Sequence, residues 1–590
     1  MVTRGDFFAN GTVGAGSDGP ADSYHDGERH AATFKRLPNG EASVASVVGP
    51  LISVAPWSAS GRGLERETAL MRRVLPFLTF LSLAVSAQAG DLRIGRATEH
   101  GSLDPHYSDL GSDVATAENA FESMIRFDSK LQIHPSLALS WTSIDPSTWE
   151  IELRPGVTFH DGSPMTAADI AFSLNRARDI PNSPGPLASF VRPVKEAVVV
   201  GPLRLRIHTV NPTPLLMDMI GRIFIVPAKL GASVANEDFN AGRAMIGTGP
   251  YRFKSSAPGD NVVWSAWPAY WGGKPDYGTV TVKFLSNPTS RGAAMLSGSV
   301  DVIEQIPPAD IAVFQNRQDM TLYEAVSTRV VYIAMDQGRD DSPFVTDKDG
   351  KALTVNPFKD RRVRQALSQM INRQAIVERV LSGAGQATGQ IVPEGMGGHD
   401  PRARPVAFDP AGAKALLAEA GYPDGFGVTL HGSNNRFPND SQVAQALGQM
   451  FARGGMKVNG VEVVPYNVYA PAATQRKYSL FIFSYGSVAS SSLNGLTGIL
   501  ATYDAAKGTG SLNRARYSNP GFDAMLARAS SEFDPAKRGA MLVEATGVAM
   551  ADAAILPLYW QKLYWAGRKG FVVDADRGEA TSVHFVHPPR

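Results

Sequence analysis

His160 and Asp161 stand side by side, and an imidazole next to a carboxylate is the pairing that general acid–base catalysis uses. The same residues, followed by Gly162, also close a strand ending at Phe159, where Asp-Gly supplies turn chemistry. The turn is the reading adopted here. His584 and His587 are three positions apart, which on a helix would give one metal-binding face and in a strand would point the rings to opposite sides. Packing or surface roles are expected for them. Gly383-Ala384-Gly385-Gln386-Ala387-Thr388-Gly389 lacks the spacing of a dinucleotide loop and follows a helix instead of a strand. There is no Walker A sequence, His-Glu-x-x-His or Gly-x-Ser-x-Gly. The chain is expected to have no catalytic site, metal or cofactor.

The elements that would carry these residues are mixed. Asp91–Arg96 and Trp149–Leu153 alternate polar and apolar residues as half-buried strands do, and Arg154-Pro155-Gly156 turns the chain. Thr166 with Asp169 forms a capping box ahead of Ile170, Phe172 and Leu174. Asp409-Pro410 starts a helix that Gly421 ends. Val363, Leu367, Met370 and Ile371 mark a helical face that restarts at Asn372. Short alternation of strands and helices, without an internal repeat, predicts α/β or α+β layers.

The chain has 590 residues, 57 Lys+Arg against 56 Asp+Glu, and no Cys. The charge balance offers no basic field for nucleic acid, and zero Cys excludes disulfides, thiol nucleophiles, Cys-ligated metals and a lipid anchor on Cys. Residues 1–70 are rich in Gly, Ser, Ala and Asp without sustained periodicity, and read as disordered or as an over-extended start of the reading frame. Met71-Arg72-Arg73, the apolar run Val74–Val85 and Ser86-Ala87-Gln88-Ala89 have the parts of a secretory signal peptide, residues 71–89, cut after Ala89. A soluble, unanchored periplasmic protein is expected.

WEIELRPGVTFHDGSPMTAADIAFS (149–173) resembles the signature of ABC-transporter substrate-binding proteins of the oligopeptide, dipeptide and nickel family, solute-binding protein family 5. GTGPYRF, YWGGKP and AAMLSGSVDV between Gly247 and Val302, the stretch Asn356–Tyr422, RYSNPGFD from Arg516 and AILPLYW from Ala554 continue the match in the family's order. The resemblance implies an α/β, two-lobed periplasmic binding protein of class II, with a subdomain at about 126–245 enlarging the first lobe. The lobes would be 90–336 with 560–590, and 337–559, and hinge strands would cross near Val330–Asp336 and Ala554–Gln561. It implies lobe closure on a peptide-like or carboxylated amino-acid-derived solute, delivery to ABC permease subunits, and a monomer. Two alternatives stand beside it: a secreted hydrolase, and a nickel-type metal-chelate binder. No His lies between His431 and His584 to serve the latter.

In the dipeptide-binding members an Arg anchors the ligand carboxylate, and a Gly-Trp-x-x-Asp string supplies an aromatic wall and an acid for the amine. The resemblance carries the Arg onto Arg436, after Asn434 and Asn435, and the string onto Ser484-Tyr485-Gly486-Ser487-Val488. Tyr485 keeps the wall, and Val488 does not keep the acid. A buried ammonium without an anion loses solvation that neutral contacts rarely restore. Free-amino dipeptides are therefore disfavoured relative to opines or modified peptides, unless Asp440 or Asp504 substitutes. Ser487, Ser490, Ser491, Ser492 and Asn494 read either as hydroxyl-rich recognition or as a flexible loop, and Arg514 is a weaker candidate, with Asn513 and Arg516.

Overall fold

The computed structural model describes residues 90–486, 489–575 and 577–589. The segment 1–70, the leader 71–89, and two of the candidate ligand residues, Ser487 and Val488, lie outside the described residues. The strands are β1 (Leu92–Arg96), β2 (Ile125–Phe127), β3 (Ile133–Pro135), β4 (Ala138–Asp145), β5 (Thr148–Leu153), β6 (Val194–Gly201), β7 (Arg204–Thr209), β8 (Tyr251–Ala257), β9 (Asn261–Ala266), β10 (Thr279–Phe284) and β11 (Val302–Ile303). They continue with β12 (Met320–Met335), β13 (Val345–Thr346), β14 (Gly385–Ala387), β15 (Gly427–Ser433), β16 (Lys457–Val464), β17 (Leu480–Tyr485), β18 (Leu556–Arg568), β19 (Val572–Val573) and β20 (Val586–His587).

Twelve strands share one mixed sheet, ordered β13-β15-β17-β12-β18-β11-β1-β10-β9-β8, with β14 on β18 and β16 on β15. β1 and β8–β11 stand toward one end of this sheet and β13 with β15–β17 toward the other. The elements around the first end, together with the separate four-stranded sheet β4-β5-β7-β6, are termed the first lobe, and those around the other the second. Two long antiparallel strands join them. Met320–Val326 of β12 pairs with Lys562–Arg568 of β18, on the side where β18 meets β11; Val330–Met335 pairs with β17. The register breaks between Val326 and Val330, so Ser327–Arg329 bulge out opposite Gln561. A second, smaller shift lies inside the apolar run Val330–Asp336, between Val331 and Tyr332; Val330–Ile333 have ladder partners on both sides, whereas Ala334 and Met335 pair with β17 alone.

Local rules place several elements. Thr166 and Asp169 close the capping box on the helix Ala167–Arg176, and Asp409 caps Pro410–Glu419, with Gly421 at φ +93° beyond it. The face at Val363 and Leu367 belongs to Arg361–Gln369, and Asn372 caps the short turn that follows. One expectation fails in detail. β1 is not a half-buried strand, because Leu92, Ile94 and Arg96 are buried on one face while Ile303, Leu285 and Val300 close over Gly95 on the other, and only Arg93 among its five residues keeps partial exposure. Arg96 is fully buried, donating to Thr116 Oγ1 at 2.7 Å and Thr581 O at 2.6 Å. Such bonds allow a guanidinium to sit inside a core, and here they tie the C-terminal segment to the first lobe. Thr581 N donates to Glu304 at 2.6 Å, and Val573, Val583 and Val586 pack with Leu92 and Ile94.

Candidate functional site

A cavity of about 510 Å³ opens between the lobes. The first lobe contributes Asp109 and Asp218, the bulge contributes Ser327–Arg329, the second lobe contributes Arg436, Tyr485 and Asn494, and the C-terminal segment contributes Glu579. Arg436 is half-buried, and its position is set by Asp440, whose carboxylate accepts Arg436 N and Ser433 Oγ, both at 2.9 Å. Its guanidinium lies 5.3 Å over the Tyr466 ring, with Nη2 3.7 Å from Glu579 Oε2. Arg329, in the bulge, donates from Nη1 to Ser484 Oγ at 3.0 Å and from Nε to the same Glu579 carboxylate. Burial works against the charge of Glu579, yet Arg329 and Arg436 hold its carboxyl below the ordinary range. Glu579 is fixed from behind, its carbonyl accepting Gln305 Nε2 at 2.7 Å. The Glu579–Arg436 pair therefore spans the lobes.

Tyr485 ends β17 opposite Val330 and presents its ring to the cavity, against a helix where a Cβ at Gly495 would meet the ring at 2.9 Å. Asn435 lies outside the lining and accepts from Tyr466 N at 2.8 Å, fixing the helix Tyr466–Thr474. Arg514 is not among the lining residues; it stacks 4.1 Å over Phe483 and donates to Thr474 Oγ1 at 3.2 Å. The Ser-rich stretch is mostly committed internally. Ser490 donates its N to Asp218 at 2.9 Å and its hydroxyl to the same carboxylate, while Ser490 O and Ser492 N bond Gly397 at 2.8 and 3.0 Å. Asp440 and Asp504 are not lining residues, the latter capping its own turn through Ala506 N and Lys507 N.

Glu579, Arg329 and Asp218 were not singled out from the sequence. Arg329 had a signal, a charge at the head of an apolar strand run, whereas Glu579 and Asp218 reach the cavity only through tertiary folding. His160 is buried, with Nε2 3.0 Å from Gly249 O and its ring edge-on to Trp267, and burial pushes its pKa down to about 4. Asp161 is turned outward to Ser163 and Lys229. The pair therefore makes a turn and a packing contact. Among the described residues no group of three or more His, Asp or Glu is arranged to hold a metal, and no helix is long and apolar enough to cross a membrane.

Two lobes carried on a shared sheet, with a charged cavity at their junction, define a binding protein that encloses its solute. The sequence model of the bacterial extracellular solute-binding proteins, family 5 Middle, matches residues 132–507, and the chain belongs to this family, whose members serve ABC importers. It is 27% identical over 500 residues to a glutathione-binding protein of Pectobacterium atrosepticum, covering 83% of this chain and 92% of that one. The fold is shared with HbpA2 of Haemophilus parasuis (TM-score 0.71, 23% identity, 85% and 100% of the two chains covered). It is shared also with the periplasmic binding protein DppA of Helicobacter pylori in complex with the peptide STSA (TM-score 0.69, 19% identity, 85% and 98% covered).

Proposed function

We propose that the protein is exported to the periplasm, works there as an unanchored monomer, and captures a peptide-like solute bearing a free carboxylate for delivery to its permease. The observation that carries this reading is the pair Arg436 and Arg329 sharing one carboxylate on the cavity wall. Two guanidiniums against one Glu leave a local excess of positive charge on that wall, and at 3.7 Å Arg436 keeps donors for a second carboxylate. The amine would be met from the opposite lobe by Asp218. Among the described residues its hydrogen bonds come from Ser490; burial pushes its pKa up against these bonds and the nearby Arg538, a penalty that a ligand ammonium would offset. With carboxylate and amine recognised from different lobes, contacts to both are complete only when the lobes close, which favours the closed state. The bulge at Ser327–Arg329 is the place for the hinge. The relative named for glutathione and the neighbour holding a peptide support the peptide class.

The test is mass spectrometry of solutes copurifying with residues 90–590, followed by calorimetry with glutathione, dipeptides and their C-terminal amides. Amidation is expected to weaken the best ligand about 100-fold, the cost of leaving a desolvated guanidinium unpaired. Equal binding of acid and amide overturns the carboxylate reading. Ligand is expected to be recovered intact, and turnover abolished by His160→Ala would replace binding with catalysis as the function.

A further inference from the structure

A second cavity, of about 610 Å³, adjoins the first, and Glu118, Arg222, Phe127 and Phe585 are walls of both. Four carboxylates line it: Glu118 stands against Ser582, with burial pushing its pKa up, and the other three have hydrogen-bond or ion-pair partners within the protein. Glu122 is buried and accepts from Thr248 Oγ1, Tyr270 Oη and Trp271 Nε1, each at 2.8 Å. Asp128 accepts from Lys130 N, Gln132 N and His134 Nε2 at 2.8–2.9 Å, and Asp574 lies 3.1 Å from His587 Nε2. Two of its cations are in the opposite condition. Arg154 lies 4.4 Å over Trp271 and commits only Nε, to Ser136 O at 3.0 Å. Among the described residues no hydrogen bond or ion pair engages its terminal nitrogens or any side-chain nitrogen of Arg126; both residues line the chamber, Arg154 half-buried and Arg126 exposed at its rim. With the acids satisfied and guanidinium donors left over, the chamber is complementary to an anion, which planar guanidiniums bind in paired, charge-assisted bonds.

We propose that this chamber receives a second anionic group of the solute, held by Arg126 and Arg154, so that the cargo is a peptide-like dicarboxylate lying across both cavities. This rests on the reading that the inter-lobe cavity holds the first carboxylate at Arg436. The chamber is walled by β2, the turn after β5 and the Tyr270–Trp271 corner, all elements of the first lobe, so it is formed before closure. A dicarboxylate would dock one carboxylate there and present the other to Arg436 as the second lobe arrives.

The experiment uses residues 90–590 and calorimetry with three probes: glutathione and its two monoamides, each lacking one carboxylate charge. The wild type is expected to bind glutathione, with both carboxylates, about tenfold or more tightly than either monoamide, the scale of one charge-assisted pair. The double variant Arg126→Gln, Arg154→Gln is expected to bring the preference over one monoamide towards unity while keeping the preference over the other, with melting curves checking the fold. If it keeps both preferences while Arg436→Ala abolishes one, the chamber proposal is wrong and the carboxylate reading of the cleft survives. If no probe binds, both fail.

Discussion

Glu579 and Glu122 are both carboxylates on cavity walls, and they are held in opposite ways. Glu122 sits inside one lobe among three neutral donors, and burial pushes its pKa up to about 7. Glu579 sits at the lobe junction between two guanidiniums, which hold its carboxyl below the ordinary range against the effect of burial. Short neutral bonds in a buried pocket fix a wall, because any donor released there is left without a partner. A half-exposed ion pair at 3.7 Å across a moving boundary is exchangeable, since a ligand carboxylate replaces it with like chemistry. The two acids separate scaffold from recognition.

Substitutions can break or sharpen this contrast. Glu122→Ala strands three donors and opens a void, and should cost about 3 kcal/mol in denaturant unfolding; a loss under 1 kcal/mol would show that Glu122 is no scaffold. Glu122→Gln probes its charge alone. Because the folded pKa is raised from 4.5 to about 7, the wild type should lose stability as pH rises from about 4.5 to 7, by about 3 kcal/mol, a slope the Gln variant should flatten. Glu579→Gln keeps an amide oxygen to accept from Arg329, whose side chain is only 12% exposed, and should cost about 1 kcal/mol, well short of Glu122→Ala. It should instead tighten carboxylate ligands severalfold by removing a competing anion. An unfolding loss matching that of Glu122→Ala would erase the distinction.

Much of the frame was legible in the chain. The capping box at Thr166, the helix at Asp409-Pro410 and the restart at Asn372 depend on neighbours in sequence, and appear where those neighbours stand. β1 was read as half-buried because alternation cannot show that Ile303, Leu285 and Val300 close over Gly95 and that Arg96 finds acceptors inside. The site was legible only in part. Arg436 and Tyr485 reach the cavity from the loop after β15 and the end of β17, but Arg514 is turned away onto Phe483, and Asn435 holds a helix start. Glu579 lies 143 positions beyond Arg436 and meets it only because the C-terminal segment returns to the first lobe. No local pattern encodes that meeting.

The central claim is that Arg436 pairs with a carboxylate of the solute. A double-mutant cycle crossing Arg436→Ala with ligand acid against ligand amide, read by calorimetry on residues 90–590, measures that pair directly. A coupling of about 2 kcal/mol or more is expected, with the variant no longer distinguishing acid from amide. A coupling near zero, with the variant still preferring the acid, would contradict it.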